Sequence, residues 1–309
     1  MLLPVRLFLF ICYRFLTLVI QILINELKMK KSATLYILLT ISFGISAQQT
    51  VTQYVYKQVD TLSLTMDIYY PSSMDAGKKY PAMIYFFGGG WVGGSTAQFE
   101  PHAKYFSERG LICILADYRV RNKHKTSPFE SLKDAKSAIR YIRKNAERLN
   151  IDPNQIIASG GSAGGHLAAA TAIIEKYDEP GEDLSISSIP QALVLFNPVI
   201  DNGPGGYGYE RIGDQYKDFS PLHNIEKGAP PTILFLGTED SLIPVETVQY
   251  YKTVMEKVGS RCDIHLYEGQ KHGFFNIWFK EYYNKTVFEA DKFLSSLGYI
   301  SGAPTISVD

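Results

Sequence analysis

The 309-residue chain has little cysteine and no excess of charge of either sign. Its three cysteines, Cys12, Cys113 and Cys262, are too few and too scattered to form a disulfide framework. Lysine plus arginine total 31, and so do aspartate plus glutamate, so no net field draws the protein to nucleic acid or to an anionic membrane. A small neutral substrate or a neutral polymer suits this balance better as a partner.

The histidines show no metal-binding pattern. None of the six stands in H-x-H or H-E-x-x-H spacing, and the sequence predicts neither a metal site nor a cofactor. From Gln48 onward the chain also lacks internal repeats, low-complexity tracts and linkers rich in proline or serine. We therefore expect one domain over residues 48–297, followed by a flexible tail, 298–309, that lacks periodicity.

The first 47 residues have the composition of a targeting segment. From Met29, two lysines precede an apolar stretch, 35–45, and small residues up to Ala47, which is the order of a secretory signal peptide over 29–47. The apolar stretch is shorter than the roughly 20 residues of a membrane span, so we expect export to the periplasm or beyond, without a stable membrane anchor after cleavage. Within residues 1–28, the nearly continuous apolar stretch 7–24 could form a poor membrane-spanning helix, but the complete signal from Met29 makes it redundant, and we expect translation to begin at Met29.

Beyond the targeting segment, short apolar runs alternate with segments of helical periodicity. The runs predict strands at 63–69, 82–87, 111–116, 156–159, 192–196 and 233–236. Apolar residues at helical spacing predict helices at 129–149, 163–177, 245–258 and 283–297. This alternation predicts an α/β fold with a doubly wound, mostly parallel sheet, whose active site lies at the carboxyl ends of the strands.

A G-x-S-x-G motif runs from Gly160 to Gly164, between a predicted strand and a predicted helix. In this context the motif is typical of a nucleophile elbow, where a strained serine backbone holds the hydroxyl above the sheet and the glycines leave room for the turn. A P-loop would need lysine and serine or threonine after the last glycine, and a dinucleotide-binding loop would need glycine at Ser162. Neither pattern matches, so Ser162 is the candidate nucleophile.

A serine hydroxyl needs a base at neutral pH, and the histidines offer two candidates. His272 lies in a late loop, G-Q-K-H-G-F, after the last strand that we expect. His166 stands four residues beyond Ser162 on the same predicted helix, so it points along that helix and cannot also stand beside the hydroxyl. We therefore predict His272 as the base.

The acid that orients the base should lie between nucleophile and base in chain order. Asp240 follows the predicted strand 233–236 directly, where such a loop belongs, and Glu239 and Asp201 are the alternatives. Asp240 is the predicted third member of the triad.

The oxyanion of a tetrahedral intermediate needs backbone N–H donors close to it. The sequence F-G-G-G-W, from Phe87 to Trp91, follows a predicted strand, and its glycines let their amides approach a substrate oxygen. We predict Gly89, Gly90 and Ala163 as the donors.

With these pieces in this order, the sequence resembles the α/β-hydrolase esterases related to hormone-sensitive lipase, including their feruloyl and acetylxylan esterase branch. The resemblance covers residues 60–297. The family motifs H-G-G-G-W, G-x-S-A-G-G, D-x-x-x-P and H-G-F correspond to Phe87–Trp91, Gly160–Gly165, Asp240–Pro244 and His272–Phe274. Asp117–Arg119 also looks like a structural element of the family. The family histidine of the first motif is Phe87 here, which removes a polar anchor of that loop.

The resemblance implies the α/β-hydrolase fold and a serine carboxylesterase that acts through an acyl-enzyme, with acetyl or feruloyl esters of a polysaccharide or oligosaccharide as substrates. The short segment between Gln48 and the first predicted strand leaves no room for an N-terminal lid, so we expect a minimal cap and an open cleft. Trp91, Tyr207 and Tyr209 are the predicted aromatic surfaces for a sugar ring or an aromatic acyl group.

Two other classes of function share these residues. A serine peptidase or amidase of the prolyl-oligopeptidase type would carry a large substrate-filtering domain, for which this chain has no room. A non-catalytic binding protein could keep the fold, but the intact serine, aspartate and histidine argue against it.

Overall fold

The structure is a computed structural model, and it describes residues 50–308. The predicted upstream segment, 1–28, and the predicted signal peptide, 29–47, lie outside the described residues, as does Cys12. Within the described part of the chain, eight strands form one sheet and nine α-helices surround it.

The described strands are β1 (Val51–Val59), β2 (Leu62–Tyr69), β3 (Tyr80–Phe86), β4 (Ile112–Ala116), β5 (Ile151–Gly161), β6 (Ala192–Phe196), β7 (Thr232–Gly237) and β8 (Cys262–Tyr267). Their order in the sheet is β1-β2-β4-β3-β5-β6-β7-β8. The pairs β1–β2 and β2–β4 are antiparallel, and all other neighbours are parallel. The mostly parallel α/β sheet predicted from the sequence is thus confirmed, with an antiparallel hairpin at one edge.

The strand order changes direction between β3 and β5. The chain leaves β3 toward β4 on one side and leaves β5 toward β6 on the other, so the loops after β3 and β5 diverge. A crevice opens at such a switch point, outside the carboxyl ends of the strands. The glycine loop after β3 and the G-x-S-x-G motif after β5 therefore meet at one place.

The described α-helices are α1 (Glu100–Glu108), α2 (Arg121–His124), α3 (Pro128–Lys144), α4 (Ala146–Leu149), α5 (Ala163–Ile173), α6 (Tyr209–Ile212), α7 (Tyr216–Phe219), α8 (Val245–Lys257) and α9 (Lys280–Ser296). The single helix expected over 129–149 is divided at Asn145, which leaves the helical conformation. Helix α5 stops before 177 because Ile174 has an extended backbone. Among residues 50–308, no helix combines the length and the apolar character that crossing a membrane requires.

Two hydrophobic layers cover the faces of the sheet. Helices α3, α5 and α8 pack on one face, and α1 and α9 pack on the other. Strand β5 shows the alternation directly, since Ile156 and Ala158 enter the first layer and Ile157 enters the second. Cys113 and Cys262 are both buried and free of disulfides.

A buried ionic cluster joins β1 to α3. Arg119 donates to both oxygens of Asp134 at 2.7 Å, and the ammonium of Lys57 lies 2.7 Å from the same carboxylate. The Asp134 side chain is fully buried, and both cations are nearly so. The D-Y-R segment, interpreted from the sequence as structural, supplies Arg119 to this cluster.

The C-terminal segment makes tertiary contacts that the sequence did not predict. The sequence predicts a flexible tail over 298–309, and Arg109 donates to the carbonyls of Ser301 and Gly302 within it at 3.0 Å each. Ile300 is buried against the second hydrophobic layer. An irregular segment has no periodicity to read, so only its tertiary contacts show that it is held.

Candidate active site

The G-x-S-x-G turn lies between β5 and α5, as predicted. Ser162 has φ +55° and ψ −119°, a conformation that non-glycine residues rarely adopt. A β-carbon on Gly160 would lie 2.4 Å from the backbone of Gly164, and one on Gly164 would lie 2.0 Å from the carbonyl oxygen of Phe86. Both positions therefore admit only glycine, and the strained serine is held by surrounding structure.

The end of β6 fixes the backbone of Ser162. Its N–H donates to the carbonyl of Phe196 at 2.9 Å, and its carbonyl accepts the N–H of Val199 at 3.1 Å. These bonds anchor the nucleophile candidate to the neighbouring strand and leave its side chain free to face the crevice.

The structure brings Ser162, His272 and Asp240 into one hydrogen-bonded chain. His272 Nε2 lies 2.9 Å from Ser162 Oγ, and its Nδ1 lies 2.7 Å from Asp240 Oδ2. The carboxylate is fully buried, and its Oδ1 accepts the N–H groups of Leu242 and Ile243 at 2.9 and 3.0 Å. An aspartate with both oxygens so bound can accept from Nδ1–H, which leaves Nε2 as the proton acceptor toward the hydroxyl.

The alternative residues lie elsewhere. His166 is fully buried, its Nε2 faces the carbonyl of Phe219 at 2.9 Å, and burial lowers its pKa to about 3. Glu239 is exposed, and Asp201 accepts the N–H of Gly203 within its own loop. In the described structure, none of these three side chains forms a hydrogen bond with Ser162 Oγ or His272.

The glycine loop after β3 borders the serine. A β-carbon on Gly88 would lie 3.4 Å from Ser162 Cβ. The carbonyl of Gly89 accepts the N–H groups of Val92 and Gly93 at 3.0 and 3.2 Å, and the N–H of Gly90 points the opposite way across that trans peptide. Within residues 50–308, no protein acceptor binds the predicted donor amides of Gly89, Gly90 and Ala163.

Other residues replace the anchor lost with the family histidine. Phe87 is buried and stacks on Tyr118 with ring centroids 4.1 Å apart, and the Tyr118 hydroxyl donates to the Phe87 carbonyl at 2.6 Å. The next amide, that of Gly88, donates to Gln98 Oε1 at 2.6 Å. The loop thus has two polar anchors, although the one expected from the family histidine is absent at Phe87.

The structure overturns the predicted substrate contact of Trp91. Its side chain is 1% exposed, and its ring packs edge-on against His166 at 5.1 Å. The residue after the glycines turns inward with φ +57°, so the indole fills the core beneath the loop. Sequence position beside the oxyanion loop did not reveal this inward turn.

The two predicted tyrosines differ in their relation to the site. Tyr207 borders the oxyanion loop, because a β-carbon on Gly90 would lie 2.6 Å from its hydroxyl. Tyr209 packs against Tyr216, with ring centroids 5.9 Å apart. Arg211 contacts the Tyr207 ring at 5.3 Å and donates to the Gly90 carbonyl. Of the pair, only Tyr207 reaches the loop beside Ser162.

Sequence reasoning missed an exposed apolar segment beyond the base. Ile277, Trp278 and Phe279 are 38%, 69% and 49% exposed. They follow Asn276, whose side chain donates to the Gly273 carbonyl at 2.7 Å and accepts from Gln98 at 3.0 Å. The segment therefore directly follows a residue that is tied to the turn after His272, and three adjacent large apolar residues outside a helix pattern were the signal for it.

Sequence reasoning also missed Asn197, directly after β6. Its side chain is fully buried, with Nδ2 3.3 Å from His272 Nε2 and Oδ1 accepting the N–H of Gly273 at 3.0 Å. Its position at the carboxyl end of a strand was the only signal in the sequence. Residues 50–308 hold no group of three or more His, Cys, Asp or Glu arranged to bind a metal ion.

The fold and this geometry define an α/β-hydrolase with a serine–histidine–aspartate site. A family model described as BD-FAE matches residues 66–202, and one described as Dienelactone hydrolase family matches residues 206–292. The structure resembles Thermogutta terrifontis esterase 2 in its apo form, with TM-score 0.78 and 43% identity over 82% of this chain and 96% of that chain. The chain belongs to the α/β-hydrolase esterase family.

Curated relatives include an acetylxylan esterase of Xylanibacter ruminicola, 26% identical over 68% of this chain and 44% of the relative. A probable isoprenylcysteine alpha-carbonyl methylesterase of Arabidopsis thaliana is 29% identical over 67% of this chain and 48% of the relative. The chain thus spans about half the length of the curated relatives that it matches.

Proposed function

We propose that this protein hydrolyses carboxylic esters through an acyl-enzyme on Ser162. The observation that carries the proposal is the hydrogen-bonded chain from Ser162 through His272 to the buried Asp240. A positioned base beside a hydroxyl on a strained elbow is the arrangement that activates a serine nucleophile.

In the proposed reaction, Ser162 Oγ attacks the ester carbonyl carbon while its proton passes to His272 Nε2. The bond from that carbon to the alcohol oxygen then breaks, and the alcohol leaves with the proton from Nε2. Water repeats the sequence on the acyl-enzyme, releasing the acid and the free serine. The amides of Gly89, Gly90 and Ala163 would bind the oxyanion, and such a donor contributes about 3 to 4 kcal/mol in measured hydrolases.

We propose short acyl esters on carbohydrate as the substrates. The BD-FAE match and the acetylxylan esterase relative support this class. Thermogutta terrifontis esterase 2 has also been solved with propionate bound, at 42% identity to this chain, which supports a small acyl group. In place of the buried Trp91, the exposed Trp278 offers a flat apolar face of the kind on which sugar rings stack.

Export belongs to the same proposal. A polysaccharide substrate lies outside the cytoplasm, and residues 29–47 have the order of a signal peptide. Sequencing the amino terminus of the protein from the periplasm and culture medium should give Gln48. A protein found only inside the cell, with residues 29–47 retained, would contradict export.

The first test uses the chain from Gln48 with Ser162→Ala as its control. Acetate release from acetylated xylan, ferulate release from feruloylated arabinoxylan and hydrolysis of p-nitrophenyl acetate are measured side by side. Polymer release that the variant loses would support a carbohydrate esterase. Hydrolysis of p-nitrophenyl acetate alone would support the serine mechanism and refute the polymer substrate. Equal activity in Ser162→Ala would refute the mechanism itself.

A further inference from the structure

Asn197 touches the nitrogen on which the proposed mechanism depends. Its Nδ2 lies 3.3 Å from His272 Nε2, the same atom that faces Ser162 Oγ at 2.9 Å. The amide is fully buried, so water does not compete for this contact. An amide in this position bears directly on the protonation state and the aim of the base.

The backbone of Asn197 is held in an uncommon conformation. Its φ is +35°, which asparagine tolerates better than most residues, and the Pro198 that follows restricts it further. Its N–H donates to the carbonyl of Phe235 at 2.7 Å, which holds this conformation in place. Strain maintained beside a reactive residue is a common mark of functional sites.

The orientation of the amide determines its effect on the imidazole. The N–H of Gly273 can only donate, so the Asn197 atom that faces it at 3.0 Å is the oxygen. Nδ2 therefore faces His272, and an amide nitrogen can only donate. The partner atom, Nε2, must be an acceptor, which places the ring proton on Nδ1 toward Asp240 at 2.7 Å.

We propose that Asn197 is a positioning residue that selects the unprotonated Nε2 of His272 and keeps it aimed at Ser162. Asp240 accepts from one ring nitrogen and Asn197 donates to the other, so both contacts favour the same tautomer. Once Nε2 holds the serine proton, two donors face each other and the Asn197 contact is lost. This loss favours passing the proton on to the leaving oxygen. The inference rests on the proposed function, because it concerns the same serine mechanism.

Among the hydrogen-bond partners of the His272 ring within residues 50–308, one carries a charge. Asp240, from the loop between β7 and α8, is the carboxylate in contact with it, and Ser162 and Asn197 add neutral groups. Glu239 and Lys271, the sequence neighbours of Asp240 and His272, are both exposed. Changing the Asn197 side chain should therefore act on Nε2 against a nearly constant background.

The test measures kcat/KM for p-nitrophenyl acetate from about pH 5 to about pH 9 in the wild type, Asn197→Leu and Asn197→Asp. The leucine removes the donor at similar size, and the aspartate keeps an acceptor for Gly273 while placing a carboxylate oxygen against Nε2. The acid limb is the part of the pH profile in which kcat/KM falls as the pH decreases. We expect it to move to higher pH by about half a unit for leucine and by about one unit or more for aspartate.

Asn202→Leu is the matched control. Asn202 is another fully buried amide in the same loop, and its Nδ2 donates to the Tyr207 carbonyl at 2.9 Å without contacting His272. Its acid limb should coincide with that of the wild type. If the aspartate variant does not fold, as judged by thermal unfolding, Asn197→Leu and Asn197→Ser decide the result.

A purely structural role for Asn197 would lower kcat and leave the acid limb in place. If the acid limb of every folded Asn197 variant coincides with that of the wild type, the proposal is overturned. The pH dependence of Ser162 modification by paraoxon gives a second readout that needs no ester turnover. A wild type that neither turns over p-nitrophenyl acetate nor reacts with paraoxon would instead refute the proposed function.

Discussion

Two buried carboxylates in this molecule differ in the side chains that bind them. Asp134 and Asp240 are both fully buried, and both have each oxygen bound by donors. Asp134 faces Arg119 and Lys57, which carry fixed positive charge. Asp240 faces His272, an imidazole that is 21% exposed and borders Ser162.

The difference between the two sites lies in the partner. Arginine and lysine stay protonated across the working pH range, so the cluster around Asp134 can only hold β1 and α3 together. An imidazole has one ring nitrogen that can accept a proton and pass it on, so the carboxylate that orients it supports proton transfer. Burial and satisfied oxygens are common to both aspartates and do not identify the functional one.

The sharpest test of this comparison is Asp240→Asn. We expect kcat for p-nitrophenyl acetate to fall by about 10⁴-fold, because an amide stabilises the wrong tautomer of His272. The buried N–H contacts of Leu242 and Ile243 keep an oxygen acceptor, so the fold should remain. Steady-state kinetics and circular dichroism measure the two effects. Activity within about tenfold of the wild type would show that Asp240 does not have the functional role that distinguishes it from Asp134.

Asp134→Asn is the matched change at the structural site. The substitution leaves Arg119 and Lys57 buried without a full countercharge, and we expect the free energy of unfolding to fall by about 3 to 5 kcal/mol. Urea unfolding followed by fluorescence measures this loss. Activity per folded molecule should stay close to that of the wild type. A large loss of kcat without loss of stability would show that the two carboxylates are not separable in this way.

His102→Phe extends the comparison to a buried ionisable group without a partner. Its ring is fully buried, neither ring nitrogen has a hydrogen-bond partner in the described structure, and burial lowers its pKa to about 3. In the unfolded chain, the His102 ring binds a proton below about pH 6.5, whereas in the folded protein it stays neutral. The contribution of the neutral ring to the free energy of unfolding is therefore present above that pH and is lost as the pH falls toward 3.

Between pH 7 and about pH 5, we therefore expect the free energy of unfolding of the wild type to fall by about 2 kcal/mol relative to that of His102→Phe. The rings of Phe99 and Phe196, with centroids 5.0 and 5.1 Å away, already form an aromatic surround for the new side chain. Urea unfolding at the two pH values gives the difference. A constant offset between variant and wild type would mean that His102 does not carry the pH dependence.

Much of the fold was readable from local patterns. The β6 segment, 192–196, matches the prediction at both ends, whereas the edge strand β1 was not predicted because it has no continuous apolar run and most of its residues are exposed or half-buried. Helix α3 begins at Pro128 with a capping box between Ser127 and Glu130, one residue before the predicted start. The contacts of the C-terminal tail could not be predicted, because the segment has no periodicity.

The candidate site also contains some residues that local sequence patterns identified and others that they did not. Ser162 was readable because the elbow has a local steric signature, and His272 and Asp240 because chain order limits the choice. The sequence neighbours of Trp91 predict a place in the cleft, while the structure buries Trp91 and exposes Trp278. Whether an aromatic residue turns inward depends on the backbone of one loop, which sequence alone does not fix.

By itself, the sequence determined the strand–helix alternation, the glycines of two turns and the identities of Ser162, Asp240 and His272. These features depend on short-range sterics and on chain order. Only the tertiary structure decided that Asn197 meets His272 Nε2 and that Gln98 and Tyr118 anchor the oxyanion loop. Such contacts join residues far apart in the chain, and their geometry exists only once the sheet has brought its carboxyl ends to one edge.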